Sequence, residues 1–426
     1  TITPVPVDRS PMPFPPGVTI PMRFTIQPGG AVPSQPLPIS FPNVQQAPPG
    51  RIADLYFFDL VAGAWAIWGT GTVSQDGTQI VSDPGFGLPR FAWHGTAQRV
   101  SLSDEVRSRQ ANRATGVDPV DLPTGRFTVS KTDLILPGRI PVSIQRFYRN
   151  ENPVAGILGL GWALDPYETV LLGQGTSMVL IYPDQSRAVF APTAPGQWQN
   201  TTEPFLRGAV LTQLPGDFVF QIRLKDGTVQ RFERIPGFAN LAGLAAITDR
   251  NGNTVTLTRE LVFLQNRITQ ITEPAGRTLT LAYDAAGRIA TITDPIGRVV
   301  QYSYDAQGRL STVTDPVGGQ TRYTYDVSHR ILTITDPRNI TFLTNEYDGN
   351  GRVIHQTQAD GGVWQFAYVL NGTLVTQTTL TDPRGNPMTY RFDARGNTLS
   401  QTDALGQTTS FEYANGSNLL LSTTDP

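Results

Sequence analysis

From Thr278 onward the apolar residues fall on alternate positions. Leu279, Leu281 and Tyr283, then Val300, Tyr302 and Tyr304, are separated by residues drawn mainly from Thr, Gln and Ser. A period of two with one apolar face predicts strands of a sheet buried on one side. Each alternating run ends in a cluster of turn residues, and the clusters recur. Tyr283-Asp284, Tyr304-Asp305, Tyr325-Asp326 and Tyr347-Asp348 stand 21, 21 and 22 residues apart. Each is followed by an Arg, at Arg288, Arg309, Arg330 and Arg352, and three by a Gly, at Gly287, Gly308 and Gly351. Degenerate copies continue at Tyr368, Phe392-Asp393 and Tyr413. Half a period out of phase runs a second marker, Asp294-Pro295, Asp315-Pro316 and Asp336-Pro337, with relatives at Glu273-Pro274, Asp382-Pro383 and Asp425-Pro426.

Two strands of about six residues and two turns of about four make a unit of roughly 21, so each repeat reads as one β-hairpin. The residue types suit the corners. Asp bonds the amides of its own turn, Gly takes positive φ, and Pro fixes φ at a turn corner. The Tyr residues are expected to form a column in register. These roles shape backbone and need no reactive group.

The region before the repeats divides by composition. Residues 1–50 carry fourteen prolines, which forces extended backbone and predicts an arm laid against a folded module. Residues 51–100 read as a small β-sandwich, with strands at Ala53–Asp59 and Ala64–Gly69 and further strands from the arm. The polar stretch 101–117 reads as a linker, 118–240 as a separate leading region, and 241–426 as the repeats. The fold class expected is all-β.

Composition narrows the function classes. A formal net charge of −2 without a Lys/Arg cluster gives no footprint for nucleic acid. With no cysteine, disulfides, thiolate catalysis and Cys-based metal sites are excluded. The apolar run Leu241–Ile247 is far short of the roughly 20 residues of a membrane helix, so no membrane insertion is expected. The sequence closes on Asp425-Pro426, inside a recurring motif, which suggests a piece of a longer precursor.

Candidate chemistry is sparse. His94, His329 and His355 lie in three different contexts without metal-ligand spacing. The recurrent Asp284, Asp305, Asp326 and Asp348 have the residue type of a glycosidase pair, but a catalytic pair is needed once whereas turn-forming Asp is needed in every hairpin. Asp249 to Glu260 has carboxylates at the first and twelfth places of a calcium loop, yet Thr254 stands where that loop needs Gly, and a hairpin turn is the expectation. The Tyr302, Tyr304, Tyr323 and Tyr325 ladder suits core packing better than sugar stacking. Neither an enzyme activity nor a cofactor is expected.

At these motifs the chain resembles the YD-repeat family of Rhs proteins, which includes the C components of Tc toxin complexes and the teneurins. The leading region is similar as well, through Asp118-Pro119-Val120-Asp121, Thr124-Gly125, Thr132-Asp133, Leu136-Pro137-Gly138, Arg146-Phe147-Tyr148 and Gly159-Leu160-Gly161-Trp162. Residues 1 to about 100 look like a module that precedes the Rhs region in some large secreted bacterial proteins. The resemblance implies an antiparallel hairpin ribbon spiralling into a hollow shell, secreted or at the cell surface, that encloses or presents a C-terminal effector or toxin domain of the same precursor. The alternative is an adhesin or self-assembling extracellular fibre, binding surface glycans or other copies of itself through the sheet edge or the Pro-rich arm.

Overall fold

The computed structural model describes residues 2–5, 23–26, 38–43, 49–50, 52–59, 64–83, 93–98, 115, 119–150, 155–184, 186–236, 238, 240–262 and 265–426. Within them every regular element is a strand, and no helix is long and apolar enough to cross a membrane. The expected linker, apart from Thr115, and most of the Pro-rich arm lie outside the described residues. The chain forms two compact units, one built on Thr1–Leu102 with Arg234–Leu241 and Leu261–Asn266, the other on the remainder.

In the first unit, β1 (Ile2–Val5), β2 (Arg23–Ile26) and β3 (Ser40–Pro42) come from the arm. They join β4 (Ile52–Asp59), β5 (Ala64–Val73), β6 (Gln79–Ser82) and β7 (Trp93–Gln98) in one seven-stranded sheet of order β1-β2-β7-β4-β5-β6-β3. Phe41, Ala53, Leu55, Val73 and Ile80 are its buried cluster. Two prolines, Pro4 and Pro42, sit on β1 and β3, the two edge strands of this order, which is where a sheet tolerates proline.

The second unit opens with a docking segment. Strands β8 (Val120–Asp121), β9 (Arg126–Leu136) and β10 (Val142–Arg149) precede a short hairpin, β11 (Ala155–Gly156) and β12 (Gly159–Leu160), and then β13 (Trp162–Asp165). Four of them form a sheet of order β13-β10-β9-β8. Strict alternation of buried and half-buried residues along β10 marks a sheet with one face in the core.

All remaining strands, from β14 (Val170–Gln174) to β37 (Leu420–Thr424), belong to one 24-stranded sheet in which sequence neighbours pair. One strand does two things. The strand β21 (Leu241–Thr248) pairs back to β14 and closes the first eight strands into a ring, with the Leu244 amide donating to Thr169 O at 3.1 Å. Its C-terminal half pairs Ala246, Ile247 and Thr248 with β22 (Thr254–Val262), where the ribbon begins. Burial follows the division: the first four residues of β21 are buried and the last four half-buried. Eight strands enclose just enough space for side chains to fill, and here Leu171, Leu180, Phe190, Leu211, Phe220 and Phe232 fill it.

Beyond the ring the ribbon has two different faces. Leu279, Leu281, Val300, Tyr302, Val313 and Tyr323 share a buried cluster with Val120, Phe127, Ile144, Tyr148 and Trp162 of the docking segment. On the other face Thr and its like pair across strands, as in Ser303 with Thr312 and Thr324 with Thr333. The face that needs burial is thus covered by the chain's own leading segment.

Candidate functional site: the repeat corners and their docking segment

Each Tyr-Asp corner is a four-residue turn with a bulge. In the second, the Gly308 amide donates to Asp305 O at 2.9 Å, the Asp305 amide donates to Arg309 O at 2.9 Å, and Gly308 has φ +79°. Pairing slips by one residue here, so Tyr304 faces Leu310. A turn closed by a left-handed residue and a bulge favours glycine. Where the chain has His329 and Asn339 instead, they take φ +64°.

The Asp side chain is engaged on both oxygens. Asp305 Oδ1 accepts the amides of Gln307 and Arg309 at 3.0 and 2.9 Å, and Oδ2 accepts Arg309 Nε at 2.6 Å. Asp284 and Asp326 repeat the arrangement, and Asp348 does so with Arg352 Nη1 in place of Nε. Partial burial pushes Asp284 and Asp348 up, but bonds from the amides and guanidinia of Arg288 and Arg352 outweigh it and hold both carboxyls below their usual range. At the opposite corners Asp294 Oδ1 accepts the amides of Ile296 and Arg298, and Oδ2 accepts Arg298 Nε. Asp315 and Asp336 bond their own turn amides in the same way, while Pro295, Pro316 and Pro337 occupy the place after each Asp.

Each corner also reaches the next repeat. The guanidinium carbons of Arg288, Arg309 and Arg330 lie 4.2, 4.8 and 4.6 Å from the ring centres of Tyr304, Tyr325 and Tyr347. Those tyrosines donate backward, Tyr304 to Ile289 O at 2.7 Å and Tyr325 to Leu310 O at 2.6 Å. So what lies on each ring of the tyrosine column is the preceding repeat's arginine.

At three corners the amide after the bulge donates to an acceptor of the docking segment. Ile289 donates to Ile157 O at 2.7 Å, Ile331 to the Tyr148 hydroxyl at 3.1 Å, and Val353 to Gly125 O at 2.9 Å. Thr378 Oγ1 donates to Leu122 O at 2.7 Å. Close approach requires glycine at two points. A Cβ on Gly125 would stand 2.7 Å from Arg352 Cβ, and one on Gly159 would stand 2.6 Å from Gly308 O. The Thr124-Gly125 and Gly159-Leu160-Gly161-Trp162 motifs are therefore the seam itself.

At the centre of the seam is a buried polar knot. Arg146 grips Asp133 through Nε and Nη2 at 2.5 and 2.8 Å and donates to the Tyr323 hydroxyl at 3.2 Å. Tyr302 donates to Asp133 at 2.8 Å, Trp162 Nε1 donates to the Tyr325 hydroxyl at 2.9 Å, and Arg146 lies 4.8 Å from the Trp162 ring centre. A second group of the seam, the half-buried Glu168, accepts the amides of Leu164 at 2.6 Å and Ile157 at 3.4 Å. Burial pushes its carboxyl up to about 7, against those amides and the charge of Arg259. Arg259 in turn donates to Tyr167 O and Leu244 O, both at 3.0 Å, joining docking segment, ring and ribbon. Their shared motif letters were visible in the sequence; their mutual pairing was not, because it joins residues 177 and 169 positions apart.

The other sequence candidates are placed apart. His329 is a turn residue, His355 Nδ1 meets Glu346 at 2.9 Å on an exposed strand position, and His94 lies on β7 in the other unit, its side chain outside the described residues. Asp249 bonds Asn251 and Asn253 in a tight turn, and Thr254 opens β22, so this is a hairpin. Among the described residues no group of three or more His, Cys, Asp or Glu is arranged to hold a metal.

The RHS Repeat family model matches residues 264–298, 283–320, 304–341 and 392–426. The model named Domain of unknown function (DUF6531) matches 117–190, which covers the docking segment and the start of the ring. Double-stranded DNA deaminase toxin A of Burkholderia cenocepacia (strain H111) is 44% identical over 54 residues, 12% of this chain and 4% of that protein. Probable deoxyribonuclease RhsB of Dickeya dadantii (strain 3937) is 28% identical over 103 residues, 21% and 7% of the two chains. The matched segments thus span less than a tenth of either curated relative. Among solved structures, the crystal structure of TcdB2-TccC3 aligns with 63% of this chain and 17% of its own at 11% identity and a TM-score of 0.32.

Proposed function

Because the chain belongs to the Rhs/YD-repeat family, we propose that it is the structural part of a secreted or cell-surface shell that encloses or presents an effector domain carried elsewhere in the same precursor. The observation behind this reading is the sidedness of the ribbon: its apolar face is covered by the docking segment, and its corner carboxylates are all engaged in their own turns. Such a ribbon supplies a wall, and the reading gives the wall no chemistry of its own. The names of the relatives favour the same division. One is a deaminase toxin and another a probable deoxyribonuclease, so related segments accompany different activities, as a carrier does.

The test is protease protection in the natural precursor. Sequence outside the repeats should survive a protease dose that digests the same sequence expressed alone. Equal rates of digestion would rule out enclosure.

A further inference from the structure

The fifth residue after the corner tyrosine is Arg at 288, 309, 330 and 352, but Asn at 397, counted from Phe392, and at 418, counted from Tyr413. In the sequence these look like decayed copies. In the structure both asparagines are fully buried; a loop from the ring about two hundred residues earlier bonds Asn418, and Asn418 bonds Asn397.

That loop is built for the contact. Asn200 Oδ1 accepts the amides of Thr202 and Glu203 at 3.1 and 2.9 Å, which turns the chain and aims the Glu203 side chain at the ribbon. Glu203, 2% exposed, accepts Arg395 Nη2 on Oε1 at 3.2 Å and Asn418 Nδ2 on Oε2 at 2.8 Å. Asn418 completes the bridge: its amide donates to Thr202 O at 3.1 Å, and its Oδ1 accepts Arg395 Nε at 2.9 Å and Asn397 Nδ2 at 3.1 Å. Asn397 also takes over the duty of the missing arginine, donating to Asp393 Oδ2 at 2.8 Å.

We propose that Glu203 is a selective clamp that recognises Asn-bearing corners and so fixes where the ribbon, after leaving the ring, closes back upon it. The selectivity is steric and polar together. Asn offers a donor to the carboxylate and an acceptor to Arg395 from one short side chain, whereas arginine has no acceptor and its longer stem would fill the space that Glu203 occupies. Three Arg-bearing corners instead meet the docking segment, those of Arg288 and Arg352 through Ile157 O and Gly125 O and that of Arg330 through the Tyr148 hydroxyl. Asn against Arg at one position thereby sorts the corners between two partners. The inference concerns how the ribbon closes and stands whether or not the shell holds a cargo.

Hydrogen exchange on the whole chain tests it, with Glu203→Gln and the double change Asn397→Arg with Asn418→Arg. In both variants exchange at corners 393–397 and 414–419 should rise at least tenfold, while strand Val299–Tyr304 keeps its protection. Undiminished corner protection in either variant would overturn the clamp or its selectivity. Loss of protection throughout the repeats would equally overturn it, by making these residues part of the general core.

Discussion

The guanidinium of Arg309 holds Asp305 of its own corner through Nε at 2.6 Å and lies 4.8 Å from the ring centre of Tyr325 in the next repeat. One side chain therefore ties turn to turn. Because Tyr325 donates back to Leu310 O, adjacent repeats are fastened in both directions, and the motif's spacing is the spacing of that fastening.

Replacing Arg309 with Ala should cost about 2 kcal/mol, from a cation–π contact and charge-assisted hydrogen bonds at a mostly buried site. Arg338→Ala, whose side chain is 77% exposed, should stay within roughly 0.5 kcal/mol. Chemical denaturation of the two variants side by side checks the contrast, and equal losses would refute the fastening role.

Gly308 has φ +79°, and an added Cβ would stand 3.0 Å from Arg288 Nη1. Gly308→Val should lower stability by about 1 to 3 kcal/mol through backbone strain at the bulge. An unchanged melting temperature would show that the corner relaxes at no cost.

Arg146 and Asp133 are 2% and 7% exposed. Arg146→Met alone strands a buried carboxylate and should cost roughly 3 to 5 kcal/mol, whereas Arg146→Met with Asp133→Leu removes both charges and should recover a large part of that loss. Thermal melts of wild type, both singles and the double give the coupling directly. A double change as damaging as the sum of the singles would contradict the paired reading.

Glu168 predicts a pH dependence. Its carboxyl is raised in the folded protein from 4.5 to about 7 by burial, so folding favours the protonated form. The contribution is fullest below about pH 4.5 and is lost as pH rises through about 7, a swing of roughly 3 kcal/mol. Lowered carboxyls such as Asp284, Asp294 and Asp348 act in the opposite sense at lower pH. The difference between wild type and Glu168→Gln isolates the effect: the variant should gain on wild type between pH 4.5 and 8. Parallel stability curves would remove Glu168 from the account.

The hairpins, their period and their corner chemistry were legible in the sequence because they are local. Asp, Gly and Pro act within four residues of one another, and alternation along Leu279, Leu281 and Tyr283 needs only a strand. What was not legible depends on residues far apart. The run Leu241–Ile247 read as a plain apolar stretch, yet its first half closes the ring and its second half starts the ribbon of the same sheet. The copies at Phe392-Asp393 and Tyr413 read as degenerate, since Glu203 is invisible from their own repeat. Arg146 and Asp133 stood in recognisable motifs, but only the folded seam shows that they meet. The repeat tyrosines share one arrangement, with the preceding repeat's arginine on the ring and the hydroxyl bonded back to a main-chain oxygen.

Whether the ribbon forms the wall of a container is decided by the mass of the native protein from its source together with cryo-electron microscopy of the same sample. A mass well above 46.4 kDa and a closed hollow particle with density inside is the predicted result. A mass near 46.4 kDa with ordered multimers and no enclosed density would contradict it and make the chain a self-assembling fibre.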